Sequence, residues 1–205
     1  ANIAGKFQFY GQVLADEFKL SEIKAGSGWW ANKFGYQLGA KYLDAFGIDN
    51  LDLQVETNRV RPFTYTHFDS VSNYSHYNQP LAHPLGANFK ELIGILHYQP
   101  LKRLYLQAKA VYYVQGLDSS GFNTGNNILS SYNTRPRSHG WEVGSGNKAT
   151  CTYFSGLGSY EIFENFFLEL SIMHRNFKIE TAGTVNTTMF SAGLRWNIAR
   201  RAFDF

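Results

Sequence analysis

The chain has 205 residues, of which 17% are aromatic and 17% are charged, and its formal net charge is +3. No run of roughly 18 consecutive apolar residues occurs, which excludes a transmembrane helix, and the weak, scattered charge does not favour a nucleic-acid partner. The single cysteine, Cys151, excludes an internal disulfide. Many rings with few charges are typical of a protein whose outside faces lipid.

Alternation of apolar and polar residues predicts eight strands in chain order. In the clearest segment, 104–114, leucine, alanine, tyrosine and valine occupy the even positions, while Gln107 and Lys109 fall on odd ones. A helix would mix these two sets, whereas a strand separates them onto opposite faces. The predicted strands cover residues 6–17, 34–42, 51–57, 89–98, 104–114, 150–162, 166–175 and 190–198.

The connections between these strands alternate in length. The long ones cover 18–32, 63–88 and 118–148, the short ones 46–50, 100–103 and 163–165, and a moderate one covers 180–186. Outer-membrane barrels have short periplasmic turns and longer extracellular loops, and strands of about ten residues cross a bilayer when tilted. We therefore predict an all-β, antiparallel transmembrane outer-membrane β-barrel over residues 1–205, with long loops extracellular and the C-terminus periplasmic.

Two alternatives remain open for the barrel. The eight strands either close on themselves, which requires hydrogen bonds between the first and last strands, or form part of a larger barrel. The opening residues, 1–6, lack a basic segment followed by an apolar run. This indicates that a signal peptide has been removed or that the chain is a fragment.

The last predicted strand resembles the C-terminal insertion signal of outer-membrane barrels. That signal is a polar residue, any residue, a glycine, and then apolar or aromatic residues at alternate positions. The residues that carry it here are Gly193, Leu194, Trp196, Ile198 and the terminal Phe205.

A second resemblance extends over more of the chain. The runs Asn58–His67 (NRVRPFTYTH) and Asn73–Phe89 (NYSHYNQPLAHPLGANF) resemble the Wzi-type capsule-assembly family, and are most similar to its RemB-like gliding-associated branch. The opening run Tyr10–Phe18 is similar to the same branch. The resemblance implies a barrel of many more than eight strands, of which this chain is the C-terminal half. It also implies a role in retaining surface polysaccharide or, in the gliding branch, in adhesion and motility.

The loop at 63–88 is dense in tyrosine, histidine and amide side chains. Flat rings stack on sugar C–H faces, and amides and imidazoles hydrogen-bond to hydroxyls, so this composition suggests a carbohydrate-binding site. The alternative is that the loop folds inward and plugs the lumen, with its side chains satisfied against the strands. The candidate ligand-binding residues are Tyr65, His67, Tyr74, His76, Tyr77, Asn78 and Gln79.

Two further pairs are candidates for contact with the membrane interface. Arg59 and Arg61, near the outer end of a strand, could bind lipopolysaccharide phosphates, or simply extend to the interface. Trp29 and Trp30 are expected to anchor the chain at the interface, or to form a protein-binding patch.

We expect neither a metal, a cofactor nor enzymatic activity. The spacings of His67, His76 and His83 fit no standard zinc pattern, and no local pattern pairs a nucleophile with a histidine and an acid. The expected partners are outer-membrane lipid and lipopolysaccharide, surface polysaccharide, and subunits of a secretion or motility complex. The predicted function is to bind or display that polysaccharide, or to serve such a machine. The alternatives are a self-contained structural or adhesive barrel and an outer-membrane enzyme.

Overall fold

The computed structural model describes residues 2–3, 5–119 and 121–198, and most of these lie in strands. No helix in this part of the chain is long and apolar enough to cross a membrane. Single 3-10 turns occur at Ala45–Gly47, Ser70–Ser72 and Tyr132–Thr134. The remaining elements, in chain order, are β1 (Asn2–Ile3), β2 (Phe7–Glu17), α1 (Leu20–Lys24), β3 (Lys33–Tyr42), β4 (Leu51–Val60), β5 (Ser75–His76), β6 (Gln79–Pro80), β7 (Phe89–Leu101), β8 (Leu104–Leu117), β9 (Asn147–Phe163), β10 (Phe166–Ile179) and β11 (Gly183–Trp196).

The eight predicted strands are confirmed as one antiparallel sheet. Its order is β1-β2-β3-β4-β7-β8-β9-β10-β11, and β5 and β6 form a separate hairpin. The largest error lies in β11, which begins at Gly183 rather than at 190 and ends at Trp196, so that Ile198 lies past the strand. The first half of β11 places Thr184, Asn186 and Thr188 on the side where its second half carries Phe190, Ala192 and Leu194, so the expected apolar alternation is absent there.

The sheet is open. In the described chain, β11 pairs with β10 alone, and β2 pairs with β3 and, over its first two residues, with β1. The alternative in which eight strands close on themselves is therefore wrong for this arrangement, because closure needs hydrogen bonds between β2 and β11.

The antiparallel register sorts the strand residues onto two faces, as the alternation predicts. One cross-strand row contains Leu53, Leu96, Ala108, Gly156, Ile172 and Phe190. The next row along contains Gln54, Ile95, Lys109, Ser155, Met173 and Met189. We call the sides that these rows define the apolar face and the polar face.

Within the part of the chain that the structure describes, no other segment packs over the apolar face. Leu38, Leu92, Leu170 and Leu194, on four different strands, are each more than half exposed. Burying such side chains is worth about 1.5–3 kcal/mol each, so a bare face of this size is unfavourable in water.

Aromatic residues gather at the end of the sheet where the short turns lie, which we call the short-turn end. Phe7 stacks on Tyr42 with ring centroids 4.3 Å apart, and Phe163 stacks on Phe166 at 4.5 Å. The full set, the aromatic row, is Phe7, Tyr42, Phe46, Tyr98, Tyr160, Phe163, Phe166 and Trp196.

The packed core lies at the opposite end, the loop end, where the three long connections meet. Phe63 is fully buried, with Trp30 edge-on to its ring at 5.9 Å and Trp141 at 4.8 Å. The glycine- and serine-rich composition of residues 118–148 predicts a flexible loop, yet Trp141 within it is 1% exposed and its indole N–H donates to Arg137 O. Packing against distant residues, which local composition does not reveal, holds this loop.

Candidate functional site

The long connection 61–88 folds back over the polar face of β2, β3 and β4, as the plug alternative predicts. Val60 and Phe89, at its two ends, are buried together with Ile128 from the third long loop. Lys33 Nζ donates to Thr66 O at 3.0 Å and so ties the middle of the connection to β3. Between the connection and the sheet a cavity of about 570 Å³ remains, a volume within the range of small-ligand sites.

Three of the predicted carbohydrate residues, Tyr65, His67 and Tyr74, line this cavity from the loop side. The rings of Tyr65 and Tyr74 lie 28° from parallel, with centroids 5.8 Å apart. Burial raises the pKa of the Tyr65 phenol, so this group stays protonated at neutral pH and can donate a hydrogen bond.

The backbone at this point is in an unusual conformation. Phe63 and Tyr65 both have positive φ, 65° and 72°, a region that residues with side chains rarely adopt. The buried ring of Phe63 and the hydrogen bond from Thr66 N to Phe63 O hold this turn. Strain of this kind is concentrated at binding sites, where surrounding packing sustains it.

The strands supply the floor of the cavity. Its polar side chains come from positions on the polar face, and they offer amide and carboxylate groups. The alternation predicts that such residues share a face, but not that the loop would enclose some of them. The floor residues are Gln12, Asp16, Gln37 and Asn58, and His83 from the connection lines the cavity beside them.

A hydrogen-bonded network orients this floor. Asn58 Nδ2 donates to Glu56 Oε1 and to Glu91 Oε2, both at 3.0 Å. His83 Nε2 lies 3.1 Å from the same Glu91 oxygen, and the Tyr10 hydroxyl donates to Glu56 Oε2 at 2.6 Å. Two carboxylates are thereby fixed beside the cavity, which can present oriented acceptors to a polyhydroxylated ligand.

The other four predicted residues lie elsewhere. His76, Tyr77, Asn78 and Gln79 form the tip of the β5–β6 hairpin, where Tyr77 and Asn78 have φ of 48° and 57°. Two consecutive positive φ angles are typical of a two-residue hairpin turn. The Tyr77 side chain is 88% exposed and does not line the cavity.

The structure brings together two of the three loop histidines. His67 and His83 both line the cavity, where His83 pairs with Glu91 and its ring stacks on Phe89 at 4.4 Å, whereas His76 is on the hairpin. Among the described residues, no three potential metal ligands lie close enough together to hold a metal ion.

The four interface candidates occupy different environments. Arg59 is exposed on the apolar face, whereas Arg61 donates to the backbone oxygens of Asn32, Trp29 and Trp141. Trp30 packs under Arg135, whose guanidinium carbon lies 4.0 Å from the centroid of the Trp30 ring. Trp29 lies in the same loop, with Lys19 Nζ 5.8 Å from its ring. Arg61 thus stabilises the loops. Of these two arginines, Arg59 is the one whose side-chain donors face outward.

The insertion-signal residues fall mainly on β11. Leu194 and Trp196 are exposed on the apolar face, and Gly193 lies opposite Glu169 on the polar face. Ile198 is exposed beyond the end of β11, and Phe205 lies outside the described residues.

Comparisons with protein-family models, with curated proteins and with solved structures return no match for this chain. The resemblance to the Wzi-type family therefore stays a prediction that rests on residues 10–18, 58–67 and 73–89.

Proposed function

We propose that this sheet forms part of the wall of a bacterial outer-membrane β-barrel, and that it binds surface polysaccharide in the cavity beneath connection 61–88. The observation that carries this proposal is the contrast between the two faces. One face exposes apolar side chains across eight long strands, and the other holds a polar cavity lined by tyrosines.

The order of residues along the apolar face supports a lipid environment. The aromatic row lies at the short-turn end, apolar residues predominate in the middle, where His174 and Thr188 hydrogen-bond to each other, and basic residues lie at the loop end. This order matches the layers of a bilayer, in which rings and long cationic side chains prefer the interfaces. The long strands have 10–17 residues, enough to cross the hydrocarbon region when tilted.

The open edges support a larger barrel. Along β11 and along residues 10–17 of β2, the outer N–H and C=O groups pair with no described strand, and each would be costly in hydrocarbon, where no water can satisfy it. Further strands must therefore cover both edges in lipid. This agrees with the many-stranded barrel that the Wzi-type resemblance implies.

Carbohydrate is the ligand class that best fits the cavity. Tyr65 and Tyr74 offer aromatic surface next to Asn58, Gln37 and His83, which offer donors and acceptors. No cluster of like charges dominates the lining, so a neutral, hydroxyl-rich ligand fits better than an ion. The cavity lies at the loop end, the side predicted to be extracellular.

A second role, as an accessory of a cell-surface secretion or gliding machine, is favoured by the outer side of the same connection. Phe68, Val71 and Tyr77 there are 63%, 88% and 88% exposed. Exposed apolar and aromatic residues on one loop are typical of a protein-binding surface.

The carbohydrate role is tested by comparing two tyrosines of one connection. Tyr74→Ala removes a ring from the cavity and is expected to weaken glycan binding by about tenfold, since ring stacking contributes roughly 1 kcal/mol or more. Tyr77→Ala, on the hairpin tip, is the matched control and should leave the affinity unchanged. Binding of the detergent-purified protein is screened on a glycan array and then measured by calorimetry. Equal affinities for both variants and the parent would rule out the cavity as the site.

A further inference from the structure

The charged residues on the apolar face share a sign and a position. Among the described residues of the long strands, those on this face are Arg59, Lys90, Lys148 and Lys178, a group that we call the basic rim. Each lies one residue from the loop end of its strand. Because all acidic residues of these strands lie on the polar face, a set of cations is aligned just beyond the apolar surface.

Two members of the basic rim are directly opposed. Arg59 and Lys90 are cross-strand partners in the β4–β7 register, and their other neighbours on this face are Tyr36 and Val114. Neither side chain makes a hydrogen bond or ion pair with a described residue. Like charges directly opposite each other are destabilising in a sheet.

Lys148 and Lys178 differ in this respect. Lys148 lies opposite Gly116 on β8, and Lys178 lies between Thr150 and Thr184 on the neighbouring strands. Neither lysine therefore has a cation directly opposite it, unlike the Arg59–Lys90 pair.

A cavity of about 450 Å³ opens beside the pair. Arg59, Lys90 and Arg61 line it together with the ring of Phe34. Glu22 and Glu142 also line it, but the Glu22 carboxylate accepts from Ser27 Oγ at 2.8 Å and lies 3.5 Å from Lys19 Nζ. Three cations therefore face one carboxylate that has no such partners.

Below the pair, the same face carries Thr57 and then Val55 on β4, and Leu92 on β7. Leu92 follows Lys90 on the same face of β7, and it is more than half exposed. A ligand that fits this place has an anionic head and an apolar tail, because the cations end where the exposed apolar side chains begin.

We propose that Arg59 and Lys90 together bind the phosphate of an anionic membrane lipid whose acyl chains lie along the apolar face. The inference rests on the proposed membrane position of the sheet and names the lipid contact of its loop end. A guanidinium and an ammonium can share one phosphate through charge-assisted hydrogen bonds, and the phosphate offsets their mutual repulsion. The sequence suggested Arg59 and Arg61 as the phosphate-binding residues. Because the donors of Arg61 are bound to loop carbonyls, Lys90 is the second phosphate-binding residue instead.

The test is lipid retention by the full chain in a non-ionic detergent. Phosphatidylglycerol is titrated in, and bound lipid is quantified by native mass spectrometry for the parent, for R59Q/K90Q and for the matched rim control K178Q. We expect R59Q/K90Q to weaken phosphatidylglycerol binding by about tenfold or more, and K178Q by less than about twofold. The charge-preserving variant R59K/K90R should bind nearly as well as the parent.

Each of the following outcomes would overturn the inference. They are an equal loss in R59Q/K90Q and K178Q, a full loss in R59K/K90R, and binding of inorganic phosphate as tight as that of the lipid, which would identify free phosphate as the ligand. Folding of each variant is checked by far-UV circular dichroism, and removing a like-charge pair is not expected to unfold the sheet. The membrane position is tested separately, by whether the parent chain fractionates with membranes and needs detergent for extraction. If the parent chain is membrane-bound but R59Q/K90Q binds the lipid as tightly as the parent, the lipid-site inference is contradicted, while the proposed membrane position still stands.

Discussion

The loop end and the short-turn end of this sheet are stabilised by different kinds of contact. At the loop end, three connections meet around Phe63, Trp141 and Lys33, whose side chains are almost wholly buried by other parts of the chain. At the short-turn end, the rings of Phe163 and Trp196 are more than half exposed and contact mainly other members of the aromatic row. The loop end therefore supplies its own core, whereas the rest of the sheet depends on whatever covers the apolar face.

The largest difference between the two ends is expected from one substitution made at each. Phe63→Ala opens a cavity between Trp30 and Trp141 and should lower the free energy of unfolding by about 3–5 kcal/mol. Phe163→Ala removes an exposed ring and a single stacking contact, so about 1 kcal/mol is expected. Urea titration monitored by tryptophan fluorescence measures both, since three of the four tryptophans lie at the loop end. Equal costs would show that the loop end has no separate core.

Next in size is a charge placed at two depths on one face of β10. Leu170→Arg puts a cation in the middle of the apolar face and should cost about 2–4 kcal/mol if lipid covers it. Asn176→Arg lies on the same face of the same strand near the loop end, and about 0–1 kcal/mol is expected there. Folding into lipid vesicles, followed by urea titration, gives both values. A cost near zero at Leu170 would mean that water, not lipid, covers this face.

A smaller effect is expected from the buried ammonium that joins the loops. Lys33→Met removes the donor to Thr66 O and the partner of Glu17 at 3.1 Å, and an unpaired buried carbonyl costs about 1–3 kcal/mol. Lys41→Met, on the same face of β3 at the short-turn end, is the control, and a change within about 0.5 kcal/mol is expected. If both variants unfold at the same urea concentration, Lys33 does not join the loops.

The smallest effect is a pH dependence at α1. The hydrogen bond from Ser27 lowers the pKa of the Glu22 carboxyl, with further lowering by Lys19 and His139. Because the folded-state pKa is depressed, the stabilisation is complete above the unfolded-state pKa and is lost as the pH falls through the lowered value. The unfolding temperature of the parent should therefore fall between neutral and acidic pH, and this fall should be smaller in Glu22→Gln, as measured by thermal melts. An unchanged fall would contradict this role.

The sequence predicts the strands of the sheet, but it does not predict the core at the loop end. The strands and their two faces were predictable because alternation is a local signal, and it failed in the first half of β11, where Thr184, Asn186 and Thr188 occupy the apolar face. The loop core was not predictable, because the contacts of Phe63 with Trp141 and of Lys33 with Thr66 join residues far apart in the chain.

The candidate site shows the same limit on a smaller scale. The composition of the connection 61–88 pointed to Tyr65, His67 and Tyr74, which do line the cavity. It pointed equally to Tyr77 and Asn78, because a two-residue turn without glycine gives little signal in the sequence. Composition identifies the chemistry that a loop carries, and only the path of the backbone decides which side chains meet.

The outer margins of β11 and of residues 10–17 in β2, which pair with no described strand, bear on what happens when many copies of this chain are concentrated together. The two margins differ, so the β11 margin of one copy can pair with the β2 margin of the next, which is a head-to-tail contact. Successive contacts of this kind either return to the first copy and form a ring, or continue and form a fibre. The curvature of the sheet, set by its twist, decides between a hollow cylinder and an aggregate.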